Sequence, residues 1–399
     1  MKEDKIVYFV GNHSICAYPM KPFDELILEF LNELSRELRN DQEAKLFTDV
    51  LSFAFFCRRA NLNKIKSKYD NGQVRYGRGL AFHIAPSNVP VNFAFSLVFG
   101  LLAGNSNVVR ASSKRFKQTE IICRILNKLL EIEKYEMVKK LIAIVSYEHD
   151  FEVTDYYSGI CNARIIWGGD ASINEIKKSP LPIRAVEILF SDRYSFALID
   201  TQKIAKLSDT QMLQLADKFY NDTYLMDQNA CSTPHLIVWK TSLGLLLDIE
   251  IDDIKKRFWN AVSISSQKYD LTDIKASDKY TDLCEKIIGL KEVIHCERYG
   301  NQLYVLKLER LPEQLDSLRG KYGEFFEIHL TDLDEFFSKI TPKVQTCLIY
   351  GMDKEEVLQS IYSNHITGID RIVPIGYSLD MDVYWDGYDV ISSLSRIIN

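Results

Sequence analysis

The sequence runs to 399 residues, 46% apolar and 26% charged, with 18 Gly and 10 Pro. That is enough for two or three domains of about 150 residues each, and it excludes a disordered or collagen-like chain. Its 49 Lys and Arg against 55 Asp and Glu leave a net charge of -6, the wrong sign for a protein that neutralises many nucleic-acid phosphates.

The N-terminus opens on the charges Lys2, Glu3, Asp4 and Lys5, and the run Ile6 to Val10 is too short for the apolar core of a signal peptide. Between Phe23 and Leu38, Leu26, Leu28, Phe30, Leu31 and Leu34 recur at helical spacing among Glu and Arg, which predicts an amphipathic helix. After the turn signal Asp70-Asn71-Gly72 comes a short apolar run, Leu80 to Ala85, then the loop Pro86-Ser87-Asn88-Val89-Pro90. The longest apolar tract, Val89 to Ala103, is broken by Asn92 and Ser96. It falls short of the roughly 20 residues a bilayer crossing needs, so it predicts a buried helix, ended by Gly104, and no transmembrane segment.

Val108 to Arg110 reads as a strand and Phe116 to Leu130 as a helix with a basic face. Leu141 to Ser146 and Ala163 to Trp167 are near-continuous apolar runs, the pattern of parallel strands covered on both faces. Gly168-Gly169-Asp170 closes the second run, Asp170 or Ser172 is placed to cap a helix through Lys177, and Ala185 to Phe190 and Phe196 to Asp200 follow as strands. The alternation predicts a doubly wound α/β domain of about 200 residues.

The second half starts with a helix from Ser208 to Tyr220, a polar loop around Cys231, the strand Leu236 to Trp239 and a helical region from Ile251 to Val262. Val293 to Glu297 and Leu303 to Leu308 read as a hairpin; Phe325 to Leu330, Thr346 to Tyr350 and Arg371 to Ile375 are further strands around a helix from Lys354 to Ser363. The expected organisation is residues 1–200, 201–375 and a closing segment, 376–399.

No P-loop is present, and no G-x-G-x-x-G follows a strand. The eight cysteines contain no C-x-x-C pair and no metal-ligand spacing, and read as reduced thiols of a cytoplasmic protein. Zinc has no His-x-x-x-His to bind it, and the acidic stretch Asp380 to Gly387 misplaces its glycine for a calcium loop, so it reads as a turn-rich surface segment. Cys231, among small and polar residues between a helix and a strand, reads either as a thiolate nucleophile or as a small buried hydrophobe. His235 suggests a Cys/His pair, but Pro234 disrupts a simple helical alignment of the two. Asn88 reads either as an oxyanion donor or as a helix N-cap.

Three ordered motifs carry a resemblance. His83-Ile-Ala-Pro-Ser-Asn88 through Gly104-Asn105-Ser-Asn-Val-Val-Arg110, Gln228-Asn-Ala-Cys231-Ser, and Gly368-Ile-Asp-Arg371-Ile-Val-Pro374-Ile-Gly376 with Trp385-Asp-Gly387 and Leu394-Ser-Arg396 resemble the acyl-CoA reductases of the bacterial luminescence family. That family is a branch of the aldehyde dehydrogenase superfamily, and the likeness runs from about residue 80 to the end. It implies an aldehyde dehydrogenase-like fold, with a Rossmann-type cofactor domain and an α/β catalytic domain. It also implies NADPH-dependent reduction of an acyl-CoA or acyl-protein thioester to a fatty aldehyde. By the same resemblance Cys231 is the nucleophile, Asn88 the side-chain oxyanion donor, and Glu187 the position of the glutamate that activates water in aldehyde-oxidising relatives. Arg110, Ser113 and Lys114 fall where the superfamily binds the adenine ribose. Ser113 stands where a carboxylate would repel a 2'-phosphate, which favours NADPH, and the turn Gly168-Gly169 falls near the pyrophosphate. An acyl-transferring or acyl-activating partner protein and a homo-oligomer are further implications. Two other readings stay open: a cysteine-dependent acyltransferase or thioesterase using Cys231 with His235, and a non-catalytic acyl-carrying subunit.

Overall fold

A computed structural model describes residues 6–148, 150–242 and 247–399; the charged opening Lys2 to Lys5 lies outside them. In chain order the first unit holds β1 (Val7–Val10), α1 (Glu25–Asn40), α2 (Thr48–Phe56), α3 (Arg59–Ser67), β2 (Arg75–Gly77), β3 (Leu80–Ile84), α4 (Asn92–Leu102), β4 (Ser106–Arg110) and α5 (Lys117–Leu130). It continues with α6 (Glu136–Lys139), β5 (Ile142–Ser146), α7 (Phe151–Ile160), β6 (Ala163–Trp167), α8 (Asp170–Ile176) and β7 (Val186–Phe190).

Six of these strands form one sheet in the order β1-β5-β4-β3-β6-β7, with β1 antiparallel and the rest parallel. β3, β5 and β6 are buried along their whole length, as parallel strands covered on both faces must be. α4 is buried at every position, which is why its sequence shows no polar face. Gly104 follows it at φ +85°, where an added Cβ would meet the Met20 carbonyl oxygen at 2.3 Å, so the residue that ends the helix has to be glycine.

The second unit runs from Arg193 to Asp380. It holds β8 (Tyr194–Asp200), α9 (Thr201–Ala205), α10 (Asp209–Thr223), β9 (Pro234–Lys240), α11 (Asp248–Ser266), α12 (Asp273–Gly289), β10 (Val293–Tyr299) and β11 (Leu303–Leu308). β12 (Glu324–Leu330), α13 (Asp334–Ser338), β13 (Val344–Tyr350), α14 (Lys354–Ser363) and β14 (Arg371–Pro374) complete it. Its sheet order is β10-β11-β12-β9-β8-β13-β14, parallel except for the β10/β11 hairpin, with an apolar cluster on each face.

Residues 381–399 rejoin the first unit through β15 (Tyr384–Trp385), β16 (Tyr388–Asp389), α15 (Val390–Leu394) and β17 (Ser395–Ile397). β17 pairs with β2, and Leu394 offers its carbonyl oxygen to Asn105 Nδ2 at 2.9 Å. The turn between β15 and β16 is Asp386-Gly387, with φ +49° and +74°, the signature of a type I′ hairpin.

Several expectations need correction. The strand expected at Phe196 to Asp200 belongs to the second sheet, between β9 and β13, so the units divide at Asp192/Arg193 and not at residue 200. The tail from 381 completes the first unit, where a separate closing segment from 376 was expected. Neither Asp170 nor Ser172 caps α8, whose N-cap is Gly169 with no side-chain cap bond. Asn88 does not cap α4 either, because the cap position is Val91. Helices α2, α3, α7 and α12 add to the elements expected from the sequence. Among the described residues no helix is long and apolar enough to cross a membrane.

Candidate active-site residues

In the first unit the strand order reverses at β3, whose two parallel neighbours are β4 and β6. Open α/β sheets bind ligands beyond the carboxyl ends of the strands at such a switch point. The chain emerging there from β3 carries Asn88, which is exposed; from β4, Arg110, Ser113 and Lys114; from β6, Gly168 and Gly169. The topology thus brings every cofactor candidate of this unit to one edge of one sheet.

Arg110 lies over the Tyr147 ring, 4.6 Å from its centroid, and its Nη2 donates to the Tyr147 carbonyl oxygen at 3.3 Å, leaving Nε buried without a partner. Ser113 and Lys114 are exposed, in a turn where the Lys114 N–H donates to Ser112 Oγ. Gly168 donates its N–H to the Phe190 carbonyl oxygen, and a Cβ added at Gly169 would meet nothing within 4 Å. Nothing in this chain therefore demands glycine at 169, and the turn is open to a ligand. Glu187, on β7, accepts from Arg164 Nε at 2.8 Å; Arg164 is 2% exposed, so this carboxylate is the partner of a buried cation and not a freely solvated strand residue.

Behind this edge runs a buried hydrogen-bond chain. Trp167 Nε1 donates to Ser96 Oγ at 3.0 Å, Ser96 Oγ lies 2.8 Å from His83 Nδ1, and His83 Nε2 lies 3.0 Å from Asn107 Oδ1. Asn107 Nδ2 donates to the Asn105 carbonyl oxygen, so the ring carries its proton on Nε2 and accepts from Ser96. Burial pushes the imidazole down to about 4, and the ring is neutral. A Cβ at Gly100 would strike Asn107 Oδ1 at 1.7 Å, which explains a glycine inside a buried helix.

In the second unit Cys231 is half-buried on the turn between α10 and β9. Ser195 Oγ donates to its carbonyl oxygen at 2.7 Å and accepts the Thr346 N–H at 3.1 Å. Thr233 Oγ1 donates to the Asp222 carbonyl oxygen at 2.9 Å. Asp227 and Gln228 both have left-handed backbones, φ +54° and +60°. Of the other cysteines, Cys57, Cys123, Cys161 and Cys347 are buried, and burial raises their thiols, Cys123 and Cys161 to about 12. Cys16 is exposed, and Cys284 and Cys296 are half-buried.

His235 sits on β9, 5% exposed and stacked on Tyr194, and its Nδ1 accepts the Gly320 N–H at 3.1 Å. Burial, with Arg319 and Lys286 nearby, pushes it down to about 3. Such a ring is a poor base at neutral pH, which removes the support for a Cys231/His235 pair.

Asp222 was missed by sequence reading. Its carboxylate accepts the N–H groups of Gly376 at 2.5 Å and Ser378 at 2.9 Å, and Arg371 donates to the carbonyl oxygens of Ser378 and Asp380. The motif Gly368 to Gly376 is therefore bound to the helix that precedes the Cys231 turn. Burial raises Asp222 to about 6.

Comparison with known proteins adds the following. A family model described as acyl-CoA reductase (LuxC) matches residues 21–397. The long-chain acyl-protein thioester reductase of Photorhabdus luminescens is 21% identical over 231 residues, covering 53% of this chain and 45% of that protein. Long-chain acyl-protein thioester reductase 2 of Photobacterium leiognathi is 21% identical over 183 residues, 45% of this chain and 35% of that protein. The matched stretches span less than half of either relative. Among solved structures, a variant of 1-pyrroline-5-carboxylate dehydrogenase from Thermus thermophilus matches at TM-score 0.64 and 12% identity, over 94% of this chain and 80% of that one. The NAD-dependent benzaldehyde dehydrogenase of Corynebacterium glutamicum matches at TM-score 0.61 and 11% identity, over 94% and 84%. The α/β fold is that of the aldehyde dehydrogenases.

Proposed function

We propose, since this chain belongs to the acyl-CoA reductase (LuxC) family, that it reduces an acyl thioester to a fatty aldehyde through an acyl group carried on Cys231, with NADPH as reductant. The observation that carries this reading is Cys231 itself, half-exposed on a turn tied down by Ser195 and Thr233. A pinned turn holds a nucleophile at low entropic cost.

In this reading the Cys231 thiolate adds to the thioester carbonyl, a C–S bond forms, and the donor's thiolate leaves and takes up a proton. The Asn88 amide and the Cys231 backbone N–H are the assigned donors to the oxyanion. Bound nicotinamide supplies the hydride. A reductase must keep its acyl-enzyme from water, and in this reading Glu187 is engaged by Arg164 rather than activating water. For the cofactor, Arg110, with its unpartnered Nε, and exposed Lys114 offer positive charge, and Ser113 offers no carboxylate against a 2'-phosphate. Gly168 and Gly169 leave space for a pyrophosphate.

The acyl donor is a long-chain thioester of coenzyme A or of an acyl-carrying protein, delivered in the cytoplasm by an acyl-transferring or acyl-activating partner to a homo-oligomeric enzyme. The test is a product assay with acyl-CoA and acyl-protein donors, run with NADPH and with NADH. Aldehyde formation faster with NADPH is expected. Donor consumption without nicotinamide oxidation or aldehyde would overturn the reading in favour of a thioesterase or acyltransferase.

A further inference from the structure

The turn that carries Cys231 begins with two successive left-handed residues, Asp227 and Gln228, neither of them glycine. Left-handed backbone is unfavourable for residues with a Cβ, so two in a row persist only where their surroundings hold them. Both are held by their own side chains. Asp227 Oδ1 accepts from Tyr269 Oη at 2.5 Å and from Lys275 Nζ at 2.9 Å, which ties the start of the turn to the α11–α12 region.

Gln228 is more completely engaged. Its side chain is buried, and its Oε1 accepts the N–H groups of Gly323 at 2.6 Å and Glu324 at 3.0 Å while its Nε2 donates to the Glu324 carbonyl oxygen at 2.9 Å. The amide thus pairs with the backbone as another strand would, at the first residue of β12. Its landing site is rigid: Gly323 has φ +89°, and an added Cβ there would strike the Gln302 carbonyl oxygen at 2.2 Å and Tyr224 Oη at 2.5 Å. From Gln228 the chain reaches Cys231 in three residues, through a turn closed by Asn229 N–H to the Met226 carbonyl oxygen and by Thr233 N–H to the Ala230 carbonyl oxygen.

We infer that Gln228 is a positioning residue for the Cys231 thiolate: its three bonds to the start of β12 fix the strained entry to the turn, and with it the placement of the sulfur. This inference rests on the assignment of Cys231 as nucleophile. Glutamine is suited to the task because one planar group both accepts from two N–H groups and donates to a carbonyl oxygen. Glutamate keeps the two acceptances and loses the donation; alanine loses all three.

The experiment follows two reactions of Cys231 in the full-length chain, alkylation by iodoacetamide read by peptide mass spectrometry and acylation by radiolabelled dodecanoyl-CoA. Gln228→Ala is expected to lower the maximal acylation rate by about tenfold to a hundredfold, as misplacement of a reacting group by an ångström does. The half-saturating acyl-CoA concentration should stay within about twofold, and alkylation of Cys231 should slow in parallel. Gln228→Glu should fall between wild type and Gln228→Ala, a graded rescue that a general loss of stability would not produce. Acylation at the wild-type rate in either folded variant overturns the inference. If the alanine variant does not fold, the glutamate variant carries the test alone. Absence of acylation in the wild type would reject Cys231 as nucleophile; slowed alkylation in the variants would then still establish that Gln228 positions the sulfur.

Discussion

Ser195 donates its hydroxyl proton to the carbonyl oxygen of Cys231 at 2.7 Å. The bond arises from a local irregularity in the sheet. β9 begins at Pro234, which has no N–H to offer, and the pairing of β8 shifts register next to Ser195 on both sides, between Ser195 and Phe196 and opposite Val344 and Thr346. The Ser195 side chain takes up what the ladder leaves: it accepts the Thr346 N–H and donates to the chain entering β9. Ser195→Ala leaves that buried N–H unpaired and should cost about 1–3 kcal/mol of stability. Urea denaturation checks it, and an unchanged midpoint would mean the pair is replaced by water.

Asp222 should show its role through pH. Its folded carboxyl is raised to about 6 from 3.8, so between those values the folded chain holds a proton that the unfolded chain has lost. Stability should fall as pH rises through that window and level off above it. Asp222→Asn should remove this dependence and also turn an amide N–H toward Gly376 or Ser378, at a cost of about 1–3 kcal/mol. Thermal midpoints from pH 4 to 7 for both proteins provide the measurement.

His83 should act in the opposite sense. Its folded imidazole is lowered to about 4 from 6.5, so the unfolded chain takes up a proton first. Stability is fully present above pH 6.5 and falls as the pH drops toward 4. His83→Leu should be less stable at pH 7, because Ser96 and Asn107 lose their partner, yet show a flatter acid limb. Equal acid slopes in the two proteins would contradict the buried neutral ring.

Asn88→Ala should reduce acylation of Cys231 by about a hundredfold while leaving the unfolding midpoint near its wild-type value, since Asn88 is exposed and caps no helix. Rapid-quench acylation measures the first effect and calorimetry the second. A wild-type rate would remove Asn88 from the oxyanion site.

Much of the fold was readable because its physics is local. β5 and β6 declare themselves as continuous apolar runs, and α1 by its spacing. α12 escaped because few of its residues are buried, one of them Lys279, whose ammonium donates to the carbonyl oxygens of Asn301 and Tyr322. β8 was recognised as a strand but put in the wrong unit, since an apolar run does not say which sheet it joins. Cys231 and Asn88 drew notice by residue type and by resemblance. Gln228 stands in the same motif as Cys231, but its role is not legible there because its side chain binds backbone 95 residues further along the chain; Asp222, whose partner is 154 residues away, is marked by no local pattern.

The central claim is an acyl group on one thiol. Incubating the protein with radiolabelled dodecanoyl-CoA without nicotinamide, then denaturing, digesting and sequencing the labelled peptide, tests it most directly. The account predicts label on the peptide containing Cys231, its loss in Cys231→Ala, and its release as aldehyde when NADPH is added to the native acylated protein. Label that persists in Cys231→Ala, or leaves only as free fatty acid, would contradict it.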